Sequence, residues 1–365
     1  MSSRIRIIPE LRNYHVASLS EMAPAATYYF LKKYDLDTST IPSTVNQVSL
    51  KQLLGIVARS DASVLEIWEP LWMRLLHKHI AVSLVYKLSR PLKWRRREVV
   101  SYAMENNDIP LLMTGSNKTP AAVSAFFRFA LGAYLRAIYS RIAYASEGAQ
   151  ISYFTAPGVS KIQHRLFENL PQRPTANDVA EHTALHVVLL ARMEVRKGTD
   201  IIMAAWPAVE RALPGAHLSA IGGGPESAQM QQWCAEAESS RSYLGEMAHA
   251  DAMRVVATAS VLVLPSIREG RWREQIGLPI HEGLLAGLTI VTTDETGLAD
   301  WLNARGHSVV ATDRLPESLS DGLLLGLQHP LAPHEVIDSL PLEEARIAAN
   351  HWLNSYSKEN ANADE

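Results

Sequence analysis

The sequence predicts an α/β protein of two domains, each organised on a parallel sheet, and three observations predict it. The chain has 365 residues, 47% of them hydrophobic, which is more than a single domain usually organises. Its clearest composition break is LPQRPTANDVAEH, Leu170 to His182, where two prolines and several polar residues separate apolar segments. Beyond that break, short β-branched runs alternate with longer segments of helical periodicity, the pattern of βαβ units. A first domain is therefore placed at 1–172, a second at 180–335, and a closing helix with a polar tail at 336–365.

In the second domain HVVLLAR (His186 to Arg192) reads as a buried strand, and KGTDIIMAAWPAVERAL (Lys197 to Leu213) as a helix with apolar positions every three to four residues. HLSAIGGG (His217 to Gly224) is the next strand, opening through glycines into a helix from Pro225 to about Glu238. The alternation continues through SYLGE, a helix over Ala250 to Ala259, VLVLPS, a helix over Leu278 to Ala286, TIVTTD and HSVVAT. This is a Rossmann-like order of elements, and such sheets bind ligands at the carboxyl ends of their strands. In the first half, RIRIIPE, ASVLEIWE, AVSLVYKL (Ala81 to Leu88), REVVSYAME and IPLLMT read as strands between helices. The segment PLEEARIAANHWLNSYSKEN reads as the closing helix.

Several classes of protein drop out. Cys234 is the single cysteine, so no disulfide forms within the chain and a reducing cytoplasm is the expected compartment. MSSRIRIIPELRN has no apolar stretch behind its charges, unlike a signal peptide. The most apolar stretch, Ala121 to Ala145, is interrupted by Arg128, Arg136 and Arg141, which argues against a spanning helix. There is no fixed-period repeat. The net charge of −3 conceals an uneven split: residues 1–165 hold 21 Lys and Arg against 11 Asp and Glu, or +10, which leaves −13 for 166–365.

Three features of the second domain fall at strand carboxyl ends. Arg192, followed by Lys197-Gly198 where a helix starts, sets two cations beside amide dipoles suited to a diphosphate; two solvated surface cations would give the same spacing. Gly222-Gly223-Gly224-Pro225 is a strand-to-helix turn, either a close approach of backbone to a ligand or simply a tight turn. It does not fit G-x-G-x-x-G, since position 227 is Ser, so a dinucleotide dehydrogenase is a poor match. The most specific feature is EQIGLPIHE, in which Glu274 and Glu282 are separated by seven residues across the turn Gly277-Leu278-Pro279. One carboxylate can serve a sugar's hydroxyls and the other a ribose, with helix amides between them for a phosphate.

On ARMEVRKG, IGGGPE and EQIGLPIHEGLLAG, in this order and spacing over residues 186–312, the second domain resembles the nucleotide-sugar-binding domain of retaining glycosyltransferases of the GT-B fold, family 4. The resemblance implies two Rossmann-like α/β/α domains facing across a cleft. It implies that Arg192 and Lys197 hold the diphosphate, Glu282 the ribose and Glu274 the donor sugar's hydroxyls. The turn Gly277-Leu278-Pro279, through the amides of the helix it opens, and the turn at Gly223 and Gly224 complete the donor site. Glu274, Arg192 and Lys197 are the expected catalytic residues, with no cofactor and no metal. The sequence departs from the family at Ala191, where glycine is usual, and at Gln275-Ile276, in place of Gly-Phe; both bear on the shape of the sugar pocket.

The first domain resembles the family only loosely. RIIPELRNYHVASLSEMAP lacks the usual glycine-rich loop. Glu105, Asn106 and Asn107 end a strand where the family places a residue facing the sugar, although a polar exit from a strand reads the same way. Asp35-Leu36-Asp37 reads as a loop, not a metal site. Lys93, Arg95, Arg96 and Arg97 form a basic cluster suited either to an anionic membrane surface or to solvation. The aromatic segment from Phe126 to Tyr144 is expected to be a core helix with snorkelling arginines. No recognition motif accompanies the charge, so nucleic acid is not expected.

The expected function is transfer of a sugar, from a UDP-sugar in preference to other nucleoside-diphosphate sugars, to a saccharide or a polyprenyl- or other lipid-linked acceptor. Anomeric configuration would be retained. The expected setting is bacterial surface polysaccharide or glycolipid synthesis, in the cytoplasm with peripheral attachment to the inner face of the plasma membrane. The alternatives are a nucleotide-sugar epimerase-like enzyme on the same fold and a catalytically silent nucleotide-sugar-binding protein.

Overall fold

The computed structural model describes residues 3–33, 36–90, 97–116, 118–175 and 180–355. The chain forms two compact units, Met1–Phe167 with Ala345–Glu365, and Glu168–Glu344. Seven strands build the sheet of the first: β1 (Arg4–Leu11), β2 (Ala26–Lys32), β3 (Val45–Gln47), β4 (Val64–Ile67), β5 (Glu98–Ala103), β6 (Arg141–Tyr144) and β7 (Gln163–Leu166). Their order is β3-β2-β1-β4-β5-β6-β7 and every pair is parallel. Parallel neighbours need crossovers, and helices on the sheet faces supply them. Alternate residues of β1 accordingly serve two cores. Ile5 and Ile7 pack with Leu65 and Val99, whereas Ile8 packs with Tyr29 and Trp68.

Three sequence expectations fail in this unit. Ala81 to Leu88 is not a strand but part of the helix Leu76–Leu88, which buries His79, Val82, Ser83, Tyr86 and Lys87. That spacing of three, one, three and one marks one face of a helix, and the β-branched residues had obscured it. IPLLMT is the helix Ile109–Thr114, with Pro110 in its first turn and Gly115 closing it at φ +73°. The aromatic segment is not one core helix: the helix Ala121–Ile138 buries only Gly132, Leu135 and Ile138, and Arg141 opens β6 instead. By length and composition, this is also the one described helix long and apolar enough to cross a membrane, despite Arg128 and Arg136.

The second unit has β8 (His186–Leu190), β9 (His217–Ile221), β10 (Arg241–Gly245), β11 (Val261–Leu264), β12 (Thr289–Thr293) and β13 (Ser308–Val310). Their order, β10-β9-β8-β11-β12-β13, is again wholly parallel. The chain runs outward from β8 to β10, returns to pair β11 with β8, and proceeds the other way. That reversal is the topological switch point at which doubly wound sheets bind ligands.

After leaving the second unit the chain rejoins the first through the helix Ala345–Asn354. A buried polar network fixes it. Asn350 Nδ2 donates to both carboxylate oxygens of Glu66, at 3.0 and 2.9 Å. The same carboxylate accepts from Arg6 Nε at 2.9 Å and Trp68 Nε1 at 2.6 Å, while Asn350 Oδ1 accepts from the Ala23 amide at 2.8 Å. Arg141, buried, donates to the Ser355 carbonyl at 2.7 Å and pairs with Glu98. Replacing Asn350 with Ala strips a buried carboxylate and a backbone amide of partners, so Asn350→Ala should destabilise the first unit by about 2–4 kcal/mol. Urea unfolding followed by tryptophan fluorescence measures the loss.

Candidate functional site

The switch point sets the loops after β8 and β11 side by side, because the two strands are hydrogen-bonded neighbours. From the first loop, Lys197 ends a short 3-10 turn (Val195–Lys197). From the second, Glu274 is buried and its Oε2 accepts from Lys197 Nζ and, at 3.0 Å, from Ser266 Oγ. Both side chains of the ion pair are largely shielded, at 17% and 10% exposure. Gly198 follows at φ +77°, and a Cβ there would collide with the Pro265 carbonyl, so the close approach of the loops requires glycine. Two residues assigned separate roles from the sequence, a diphosphate cation and a sugar carboxylate, thus touch.

Sequence reasoning missed Trp272. The segment between Ser266 and Glu274 turns back on itself, with Glu269 and Trp272 exchanging backbone hydrogen bonds at 3.1 and 2.8 Å. This sets the indole beside the cations: the Arg196 guanidinium lies 4.3 Å and the Lys197 ammonium 5.0 Å from its ring centroid. Such contacts hold a cation without neutralising it. The signal in the sequence was RWR itself, but only the turn shows that it folds toward Lys197. Two further carboxylates each gather two arginines. Glu194 takes Arg196 at 2.6 Å and Arg192 at 3.5 Å, and Glu295 takes Arg273 at 2.6 Å and Arg268 at 3.4 Å. Arg192 is the exposed member, its side chain 62% accessible.

The glycine turn has a packing explanation. A Cβ on Gly222 would strike the Ala191 carbonyl, and one on Gly224 would strike the backbone of Met193. Met193 donates its amide to the Gly223 carbonyl at 3.0 Å, and the Glu226 amide returns to Met193 at 3.0 Å. Gly223 and Gly224 therefore bring the β9 loop onto the loop that carries Arg192.

Gly277, at φ +66°, begins the helix Leu278–Leu285 with Pro279 in its first turn. The opening amides of a helix lack intrahelical acceptors and carry its positive pole. Leu278 is exposed at this end, whereas Ile280 and Gly283 are buried against the sheet. Glu282, half-buried on the same helix, faces His249 Nδ1 at 3.5 Å. Burial pushes its carboxyl above the usual value of 4.5, and His249 opposes the shift. His281 is turned inward and bonds the Asn169 carbonyl at 2.5 Å.

In the first unit a second carboxylate pair lies at strand ends. Glu69, after β4, sits at φ +53° and accepts from the amides of Leu71, Met104 and Glu105 at 2.9, 2.5 and 2.8 Å and from Tyr153 Oη at 2.5 Å. Its carboxyl is raised by burial against those bonds. Glu105, just beyond β5, is pushed up to about 7, chiefly by burial and secondarily by Glu69, which leaves it able to give or take a proton near neutrality.

Of the expected basic cluster only Arg97 lies among the described residues. Arg97 is buried: its guanidinium donates to the carbonyls of Tyr86 and Ser60, and to Ser89 Oγ at 2.9 Å, and lies 4.4 Å from the centroid of the Tyr86 ring. It is therefore a structural residue and not available to a membrane. Lys93, Arg95 and Arg96 lie outside the described residues, as does Asp35. Asp37 caps the turn Thr38–Thr40 through the Ser39 amide at 2.9 Å. Among the described residues no group of three or more His, Cys, Asp or Glu is placed to hold a metal.

Residues 184–329 match the family Glycosyl transferases group 1. Over 185 residues the chain is 24% identical to a GDP-mannose-dependent alpha-(1-6)-phosphatidylinositol monomannoside mannosyltransferase of Mycobacterium tuberculosis. The match covers 49% of this chain and spans 45% of the length of that relative. Among solved structures, Anabaena HepE in complex with UDP and glucose aligns with 99% of this chain and 98% of its own, at TM-score 0.56 and 14% identity. A glycosyltransferase from Rickettsia africae aligns with 96% and 99%, at TM-score 0.63 and 12% identity. The lipopolysaccharide outer core galactosyltransferase WaaB aligns with 95% and 97%, at TM-score 0.65 and 10% identity. The chain has the two-domain, parallel-sheet architecture of the GT-B fold, and its residues 184–329 match the Glycosyl transferases group 1 family.

Proposed function

We propose that the protein transfers a sugar from a nucleoside-diphosphate sugar to a saccharide or lipid-linked acceptor, with retention of configuration and without a metal ion. The observation that carries the reading is the meeting of Lys197 and Glu274 at the switch point, with the Gly277 turn and Glu282 on the segment that follows. As the glycosidic bond breaks, negative charge builds on the departing diphosphate. Lys197, held beforehand by Glu274 and Trp272, would stabilise it, joined by the exposed guanidinium of Arg192. The amides at Leu278 add the helix pole. Glu274 then serves the sugar's hydroxyls and Glu282 the ribose, and attack and departure share one face of the sugar.

HepE, whose structure holds UDP and glucose, supports a uridine donor. The mycobacterial relative, named for GDP-mannose, makes guanosine the second base to test. Its acceptor is a phosphatidylinositol glycolipid by name, which supports a lipid-linked acceptor.

A panel of UDP-, GDP- and ADP-sugars with the purified protein should show turnover with one donor class. Lys197→Met and Glu274→Gln should each lower it roughly 10²–10³-fold, and EDTA should leave it unchanged; full activity in both variants would sink the assignment. The pH profile offers a second check. A ribose hydroxyl bonds best to ionised Glu282, whose pKa in the free protein is raised above 4.5. The acidic limb of kcat/KM should therefore lie above the usual carboxyl value of 4.5, with activity lost as pH falls through it. Glu282→Gln should abolish that limb.

A further inference from the structure

We propose that the first unit docks on an anionic lipid surface through the exposed apolar face of the helix Ala121–Ile138, which lies along that surface and does not cross it. Ala122, Phe126, Phe129 and Ala133 recur at spacings of four, three and four, which places them on one face. Phe126 and Phe129 are 65% and 66% exposed, and Val123 beside them is 40% exposed. The Phe126 and Phe127 rings stack edge to face with centroids 5.8 Å apart. Large apolar side chains grouped in this way on a water-facing helix mark a surface that something else covers.

The opposite face holds the helix down. Leu135 and Ile138 are buried in the core of the unit, and Leu131 and Tyr134 pack against it. At Gly132 a Cβ would approach the Pro157 backbone nitrogen to 3.1 Å and overlap its carbonyl oxygen at 2.6 Å. The length and composition of a spanning helix are thus combined with packing that keeps it attached along one side. The remaining geometry is that of an interfacial helix, apolar on one face and anchored on the other.

Charge selects the occupant. From Ile109 to Ile138, through the end of the helix, the chain contains no Asp or Glu, but it contains Lys118, Arg128 and Arg136. Lys118, just before the helix, and Arg136, near its end, are exposed. Phosphate headgroups complement such a face, with phenylalanines inserting below them and cations at their level. A second copy of the chain would instead oppose the same cations across a two-fold interface with no carboxylate in the segment to pair with them. The inference rests on this helix alone and not on the donor site.

Flotation of the full chain with phosphatidylcholine vesicles, with and without phosphatidylglycerol, tests it. Binding is expected to the anionic vesicles only, and to weaken as salt is raised. The double variant Phe126→Ser/Phe129→Ser should bind at least about tenfold less, since each buried ring contributes more than that factor. Its thermal midpoint and donor turnover on a soluble acceptor should match the wild type. No binding by the wild type, undiminished binding by the double variant, or a wild-type dimer that the double variant abolishes would each overturn the proposal. Donor turnover by the same proteins is read separately, so its absence counts against the transferase reading and not against this one.

Discussion

The reversal of strand order between β8 and β11 is the constraint on which the candidate site rests. Only at that point do two crossovers leave the sheet in opposite directions, so that the loops beyond both strands are free to converge instead of being covered by a helix. The ion pair between Lys197 and Glu274 spans the gap, and Gly198, Gly222 and Gly224 let the surrounding backbones close on one another. Burying a lone lysine or a lone glutamate here would be costly; burying them together, with Ser266 on the carboxylate and Trp272 on the ammonium, is not. The pair is thus both a structural tie between two loops and a charge arrangement fixed before any ligand arrives.

The same economy of charge explains how an acidic domain can gather cations at one end of its sheet. Residues 166–365 carry a net −13, but Glu194 and Glu295 each gather two arginines. Their carboxylates orient the cations while leaving Arg192 largely in water. In the first unit the acids do a different job. Glu66 and Glu98 anchor the chain's return through Asn350 and Arg141, whereas Glu69 and Glu105 share a buried corner where burial pushes both carboxyls up.

Legibility differed between the two units for a physical reason. In the second, strands such as VLVL are short, wholly buried and bounded by Gly, Pro or Ser, and the helices between them keep a clear period. In the first, β-branched residues sit inside helices. AVSLVYKL looks like a strand until His79 is added to the pattern, because burial of Val82, Ser83, Tyr86 and Lys87 is a helical face seen only over three turns. The segment after Pro120 misled in the other direction. Its apolar content suggested a core, and nothing in a one-dimensional pattern shows which apolar face a domain will leave uncovered.

The sequence by itself determined the α/β class, the division near residue 170 and the second domain's order of elements, since periodicity and punctuation are local properties of the chain. It also singled out Glu274 and Glu282 as a pair, because their spacing across a glycine turn is written within nine residues, and Lys197 as a separate cation at a helix start. The tertiary structure decided that Lys197 and Glu274 touch, that Trp272 stands over them, that Arg97 is interior and that Phe126 and Phe129 face outward. Those are contacts and exposures between segments far apart in the chain, fixed by sheet order and packing, which no local pattern encodes.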